Sequence, residues 1–201
     1  MLTTLELRWF VRGTPTNEVE HWFNVDCPGE LLGSPEERED LYLYTPECDY
    51  LNIKLRQGSL EVKWRKAELG ILGFGDCWQG KAEKWLKWVC QDSDQQSMIP
   101  ANVVGEKAWV GVKKMRSQRH YQGMTYELTQ LSVTNDVWWS IALEMVIPER
   151  HTSDSRKAVQ AVDRFEGKVS QVSQTYRGPT LECDRSFAYP TWLAGLTQRN
   201  L

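Results

Sequence analysis

Polar and apolar residues alternate with a period of two along much of this chain, and that period predicts strands rather than helices. Over Leu2–Arg12, Thr4, Glu6 and Arg8 share one face, while Leu5, Leu7 and Trp9 share the other. Residues 50–66, YLNIKLRQGSLEVKWRK, read as a hairpin. Asn52, Lys54 and Arg56 are polar partners on its first arm, and Glu61, Lys63 and Arg65 on its second. Taking Gly58-Ser59 as a two-residue type II′ turn sets Arg56 opposite Glu61 and Lys54 opposite Lys63. A directly opposed Lys–Lys pair is unfavourable by a few tenths to about 1 kcal/mol. Either the two ammonium groups splay into water or an anion sits between them.

The second half repeats the pattern. Residues 106–119 predict a strand with Val112, Lys114 and Arg116 on one face. Met124–Val133 predicts another, with Glu127 and Thr129 together, and 137–147 a third, with Ser140, Ala142 and Glu144 alternating with Trp139, Ile141 and Leu143. Asn135-Asp136 supplies a turn. Consecutive strands with short turns predict an antiparallel meander. Elsewhere the period changes. Residues 81–90, KAEKWLKWVC, read as an amphipathic helix burying Trp85, Leu86 and Val89. Residues 153–165 read as a second, N-capped by Ser153, with Ala158, Val159, Val162 and Phe165 inward and Gly167 as its stop. Residues 18–25 fit a short strand or a helical turn. Residues 27–40 read as a solvated acidic loop before a short strand at 41–44, 70–80 as a glycine-rich connection, 91–100 as a polar loop, and the tail as irregular, ending on Trp192-Leu193.

At 201 residues the chain is expected to be a single domain, 1–201, with a full hydrophobic core. The net charge of −3 argues against general affinity for duplex nucleic acid or anionic membranes, so lysine and arginine on the strands are a local feature. No apolar run approaches membrane-spanning length, and MLTTLELRWF lacks the layout of a signal peptide. Five widely spaced cysteines form no CxxC pair, which suits free thiols in a reducing cytoplasm. Ten tryptophans point to packing between layers. The three histidines have no metal-ligand spacing, and no nucleophile elbow occurs.

In strand order, the polar faces carry charges of both signs, and the opposite faces are apolar and tryptophan-rich. Two architectures fit: an open antiparallel sheet with one wet face, or a closed barrel with a charged lumen. Arginine at these positions suits bidentate contact with phosphate oxygens. Acids beside bases suit a metal next to a polyanion.

These motifs resemble the CYTH-like superfamily, the triphosphate tunnel metalloenzymes. Thr4-Leu-Glu6-Leu-Arg8 is similar to a degenerate Glu-x-Glu-x-Lys signature, with threonine in the first acidic slot. The 53–65 hairpin resembles the family's paired basic strands, and Lys114-Met-Arg116 its next basic strand. Tyr126-Glu127-Leu128-Thr129 is similar to a later Glu-x-Glu, again with threonine in one slot. Ser140 to Glu144 resembles a strand supplying a further lumen acid. The ordered motifs span residues 2 to 170. The resemblance implies a mainly β, α+β fold: an antiparallel tunnel of about eight strands with helices packed outside. It also implies a triphosphate or polyphosphate ligand and Mg2+ or Mn2+ as cofactor. By this analogy Arg8, Lys54, Arg56, Lys63, Arg65, Lys114 and Arg116 hold phosphates. Glu6, Glu61, Glu127 and Glu144 are the catalytic acids, with Glu6, Glu127 and Glu144 as metal ligands. The implied activity is hydrolysis of a terminal phosphoryl group by metal-activated water. The alternatives are a non-catalytic binder of phosphorylated ligands, toward which Thr4 and Thr129 lean, and a structural or protein-interaction sheet with exposed, replaceable Lys54 and Lys63.

Overall fold

The computed structural model describes residues 1–90, 109–148 and 155–197. Nine strands form one sheet: β1 (Leu2–Arg12), β2 (Glu30–Leu31), β3 (Glu36–Leu43), β4 (Leu51–Arg56), β5 (Ser59–Phe74), β6 (Trp78–Cys90), β7 (Trp109–Tyr121), β8 (Met124–Val133) and β9 (Asp136–Ile147). Their order is β7-β3-β4-β5-β6-β1-β9-β8, and β8 pairs back onto β7. Eight strands therefore close into an antiparallel barrel, with β2 a short addition on β7. Closure removes both free edges of the sheet.

Alternation assigns each side chain to the bore or the outside. On β1, Leu5, Leu7 and Trp9 point outward into the main core, while Thr4, Glu6 and Arg8 point into the bore. Helix α1 (Asn17–His21), N-capped by Thr16, runs into a π-helical turn at Trp22–Asp26, so the ambiguous 18–25 segment is helical. It buries Val19, Trp22 and Phe23 on the outside of the barrel. Helix α2 (Ser155–Ser173) lays Ala161, Phe165, Val169 and Val172 on the same core. It passes through Gly167, because Val169 and Val172 continue the apolar stripe and tertiary burial outweighs the glycine's cost of about 1 kcal/mol. Ser153, its expected cap, lies outside the described residues, as do the expected polar loop at 91–100 and the start of the strand predicted from Glu106.

Helix α3 (Tyr189–Thr197) does something different from the first two. Tyr189, Trp192, Leu193 and Leu196 cluster with Phe10, Tyr42, Val112, Leu131 and Val133, which are bore-facing residues at one end of the barrel. Trp192 stacks on Phe10 with ring centroids 4.6 Å apart, and Tyr189 stacks on Tyr42 at 4.8 Å. The tunnel is thereby stoppered at that end, and the bore becomes a cup.

Several local expectations are corrected: Val159 of α2 is exposed, residues 70–74 and 78–80 extend β5 and β6, and the tail ends in helix α3. Residues 81–90 belong to strand β6, not a helix. Trp85 lines the bore and Leu86 alternates to the outside, and the ladders to β1 and β5 fix this segment as a strand. Residues 36–40, expected as loop, form most of β3. The β4–β5 turn is Gln57-Gly58, with φ of 46° and 80°, the two positive φ values of a type I′ turn. The turn therefore moves by one residue and the pairing by two: Lys54 faces Glu61 and Asn52 faces Lys63. The opposed lysine pair does not exist, and an ion pair stands in its place.

Candidate functional site

The open part of the bore is a cavity of about 210 Å³. Nine cationic side chains line it (Arg8, Arg38, Lys54, Arg56, Lys63, Lys81, Lys87, Lys114 and Arg116) against four carboxylates, Glu6, Glu83, Glu127 and Glu144. The lining is thus strongly positive in a protein whose net charge is −3. Phe187, Ala188 and Tyr189 form its floor above the α3 stopper.

Next to the floor, β3 supplies Asp40, which is fully buried. Its carboxylate takes Lys114 Nζ at 2.9 Å, Arg38 Nε at 3.1 Å, Arg56 Nε at 3.3 Å and Lys54 Nζ at 3.9 Å. Burial alone would raise its pKa, but Lys114, Lys54 and Arg56 hold it well below the usual carboxylate range. Lys114 also donates to the Tyr42 hydroxyl at 2.5 Å and sits 4.1 Å above the Tyr189 ring. Burial pushes the Lys114 ammonium down to about 7, against the pull of Asp40. Burial likewise drives Lys54 well down, with Lys114 and Arg56 adding to the effect. Glu61 lies within this cluster, beside Lys54 and Arg56 at 3.0 Å each and Lys87 at 3.2 Å. Burial opposes its ionisation, yet Lys54, Arg56 and Lys87 bring it down to about 2.

Across the bore, Arg8 pairs with Glu127 at 2.9 Å and lies over the Tyr189 ring at 5.0 Å. Arg116 approaches Glu127 at 3.6 Å and Glu36 at 2.5 Å. Despite burial, Arg8, Arg116 and Lys114 hold Glu127 at about 2. Lys63 reaches Glu6 at 2.6 Å and Glu144 at 3.2 Å. Thr4 donates to the same Glu6 oxygen at 2.6 Å. Glu83 differs from the other lumen acids: burial raises its pKa, against the hydrogen bonds that Trp85 Nε1 and Arg65 donate at 3.0 Å each.

Of the residues expected to hold phosphate, Arg8, Lys54, Arg56, Lys63, Lys114 and Arg116 all line one cavity. Arg65 does not line it. It is tied to the exposed Asp49 and Glu68 and to Glu83. Glu6, Glu127 and Glu144 line the cavity, whereas Glu61 is packed behind its cations. Of the acids expected to carry Mg2+ or Mn2+, Glu6 and Glu144 come together around Lys63, and Glu127 is held apart by arginines. Among the described residues no three His, Cys, Asp or Glu side chains are grouped to hold a metal ion. Glu6 and Glu144 are bridged by the Lys63 ammonium, and Glu127 is engaged by two arginines. As placed, this donor set does not fit a divalent ion.

Arg38, Asp40, Lys81, Glu83 and Lys87 were missed from sequence. Asp40 and Arg38 lay in the stretch taken for loop, and the other three in the stretch taken for helix. Strict alternation backward from Tyr42 would have placed Asp40 and Arg38 on the inward face.

Eight antiparallel strands close around a charged bore, as the sequence motifs led one to expect, and solved structures share this fold at low identity. A chain of the Schizosaccharomyces pombe Mediator head module is similar with a TM-score of 0.53 at 8% identity, over 87% of this chain and 96% of that one. The PH1819 protein of Pyrococcus horikoshii OT3 is similar at 14% identity over 98% of this chain and 99% of that one, with a TM-score of 0.47. The RNA triphosphatase Pct1 of S. pombe is similar at 12% identity over 86% and 82%, with a TM-score of 0.44. At these identities the likeness is one of fold alone. No protein-family model matches the chain, and no curated protein matches its sequence.

Proposed function

We propose that the cup binds a small polyphosphate anion, a triphosphate or a compound bearing one. The observation that carries this reading is the cavity wall: nine basic side chains against four lining carboxylates, an excess that remains with Asp40 and Glu61 packed behind the wall. Enclosure strengthens each charge–charge contact relative to water, and arginine forks match phosphoryl oxygens. Arg8, Arg116, Lys114, Lys54, Arg56 and Lys63 are the side chains we assign to the ligand. A solvated sheet face is at odds with this geometry, because Lys54 is only 7% exposed and Lys63 lies inside the bore.

A second reading, hydrolysis of the bound anion, is favoured by Glu83. It lines the cavity, and burial raises its pKa despite the hydrogen bonds from Trp85 and Arg65, which suits a proton acceptor better than a lowered pKa does. Glu61 and Glu127, held at about 2, are poorly suited to that role.

The test is thermal unfolding of the intact protein with inorganic triphosphate, pyrophosphate or sulfate, alongside a phosphate-release assay. Binding to the native state raises the midpoint. Triphosphate is expected to raise it most. The absence of any shift with triphosphate overturns the binding reading, and the absence of released phosphate from a protein that binds removes the hydrolytic one.

A further inference from the structure

The two acids on which a divalent ion would most naturally rest are already joined by a cation of the chain itself. Glu6 on β1 and Glu144 on β9 stand directly opposite each other in the ladder, a like-charge pair that is unfavourable alone. Lys63 reaches in from β5, beyond the intervening β6, and its ammonium lies within 3.2 Å of both. The Glu6 oxygen nearest Lys63 also accepts the Thr4 hydroxyl. Mg2+ requires a near-octahedral set of oxygens at roughly 2.0–2.1 Å. An ammonium 2.6 Å from Glu6 stands where such an ion would bind.

A second observation points the same way. Thr129 belongs to the wall of the bore, is 1% exposed, and its buried hydroxyl has no hydrogen-bond partner among the described residues. Its partner across the β7–β8 ladder is Arg116, whose Nε is also without one. Leaving a buried polar group unsatisfied is unfavourable. Two such buried donors on paired residues of a basic wall can each turn to an anion oxygen. A hydroxyl can donate to an anion directly, where a carboxylate would need a metal between.

On the reading that the cup takes a triphosphate-class anion, we infer that this chain binds it without a divalent cation: Lys63 is the fixed counter-ion of Glu6 and Glu144, and Thr129 and Arg116 donate directly to the ligand. The chain's departures from the tunnel signature then form one set. Thr4 joins Lys63 in saturating Glu6, and Thr129 turns an acid position into a donor.

Calorimetric titration of the intact protein with sodium triphosphate, in EDTA and again in excess Mn2+, tests this. The affinity in EDTA is expected to equal or exceed that in Mn2+, since the metal neutralises part of the ligand's charge. Binding about ten-fold or more tighter with Mn2+ overturns the inference and leaves the polyanion reading standing. No binding in either condition overturns that reading and this inference with it. Lys63→Met keeps most of the side chain's volume and frees the acid pair. Mn2+ measured by electron paramagnetic resonance should bind this variant about ten-fold more tightly than the parent. Equal binding to both overturns the role of Lys63. Thr129→Val should weaken triphosphate by about ten-fold with the melting midpoint of the free protein retained, and unchanged affinity overturns the role of Thr129.

Discussion

The Lys114 ammonium lies 2.9 Å from the Asp40 carboxylate, and both residues are buried beside the stopper helix. Arg38, Arg56 and Lys54 approach the same carboxylate. One anion therefore holds four cations in place around the floor of the cup. Removing one partner of a buried ion pair is strongly destabilising, by about 3–5 kcal/mol, because the remaining charge is left uncompensated. Asp40→Asn should lower the unfolding free energy by about that much, measured by urea denaturation. Glu37→Gln, on the exposed side of the same strand, should stay within about 0.5 kcal/mol.

Acid should weaken the barrel over a defined range. Glu61 and Glu127 are held at about 2, against an ordinary value of 4.5, by the cations that surround them. Their folded pKa values lie below those of the unfolded chain, so the unfolded state binds protons first as pH falls. The stability they contribute is complete above the unfolded value and is lost as pH drops toward the folded one. The urea midpoint should fall steadily from about pH 5 to about pH 2. Glu127→Gln should flatten part of that slope, and a midpoint independent of pH over this range contradicts the pairing.

Much of the barrel was legible from alternation, and the exceptions share a cause. β1, β8 and β9 have an apolar outer face and a polar bore face, so the period of two is visible. In β3, Glu36, Arg38 and Asp40 belong to the buried charge network while Glu37 and Glu39 face water. A strand polar on both faces shows no alternation and looks like loop. In β6, Trp85 is apolar but lines the bore, while Leu86 and Trp88 lie on the outside and Val89 is exposed. Apolar residues on both faces mimic helical spacing. The candidate site suffered the same way: the six basic residues on regular strands were found, and Asp40, which organises four cations, was not. The hairpin register failed on one turn residue, since Gln57 adopts the positive φ expected of a glycine.

The glycine-rich segment has a packing explanation. A Cβ on Gly80 would sit 2.6 Å from the Trp9 ring and 2.8 Å from a Leu7 methyl. Trp9 is fully buried and its Nε1 donates to the Gln79 carbonyl at 2.9 Å, so the ring cannot readily move aside. Gly80→Ala should destabilise by about 1–3 kcal/mol through overpacking. Gly73→Ala, with nothing within 4 Å of the new carbon, should cost less than half of that. Paired thermal melts of the two variants separate close packing from general backbone effects.

The charge pattern of the wall gives the sharpest test of the binding site. Arg116 and Arg65 are both arginines on strands, and both are ion-paired with acids. Arg116 lines the cavity and its Nε has no hydrogen-bond partner among the described residues; Arg65 lies off the cavity against the exposed Asp49 and Glu68. A hydrogen bond to a charged group contributes about 1.5–3 kcal/mol, so losing a direct phosphate contact weakens binding by about ten-fold or more. Arg116→Gln and Lys114→Met should each show that loss for triphosphate in calorimetric titrations. Arg65→Gln should leave the affinity within about two-fold, since its charge reaches the ligand only at long range. Lys114 adds a pH signature. Burial places its ammonium near 7, so affinity for sulfate, whose own charge is constant there, should fall between about pH 6 and about pH 8 in the parent protein. That dependence should be reduced in Lys114→Met, with any remainder assigned to Lys54. Equal losses in the Arg65 and Arg116 variants would mean that overall charge, and not the wall of the cup, attracts the anion.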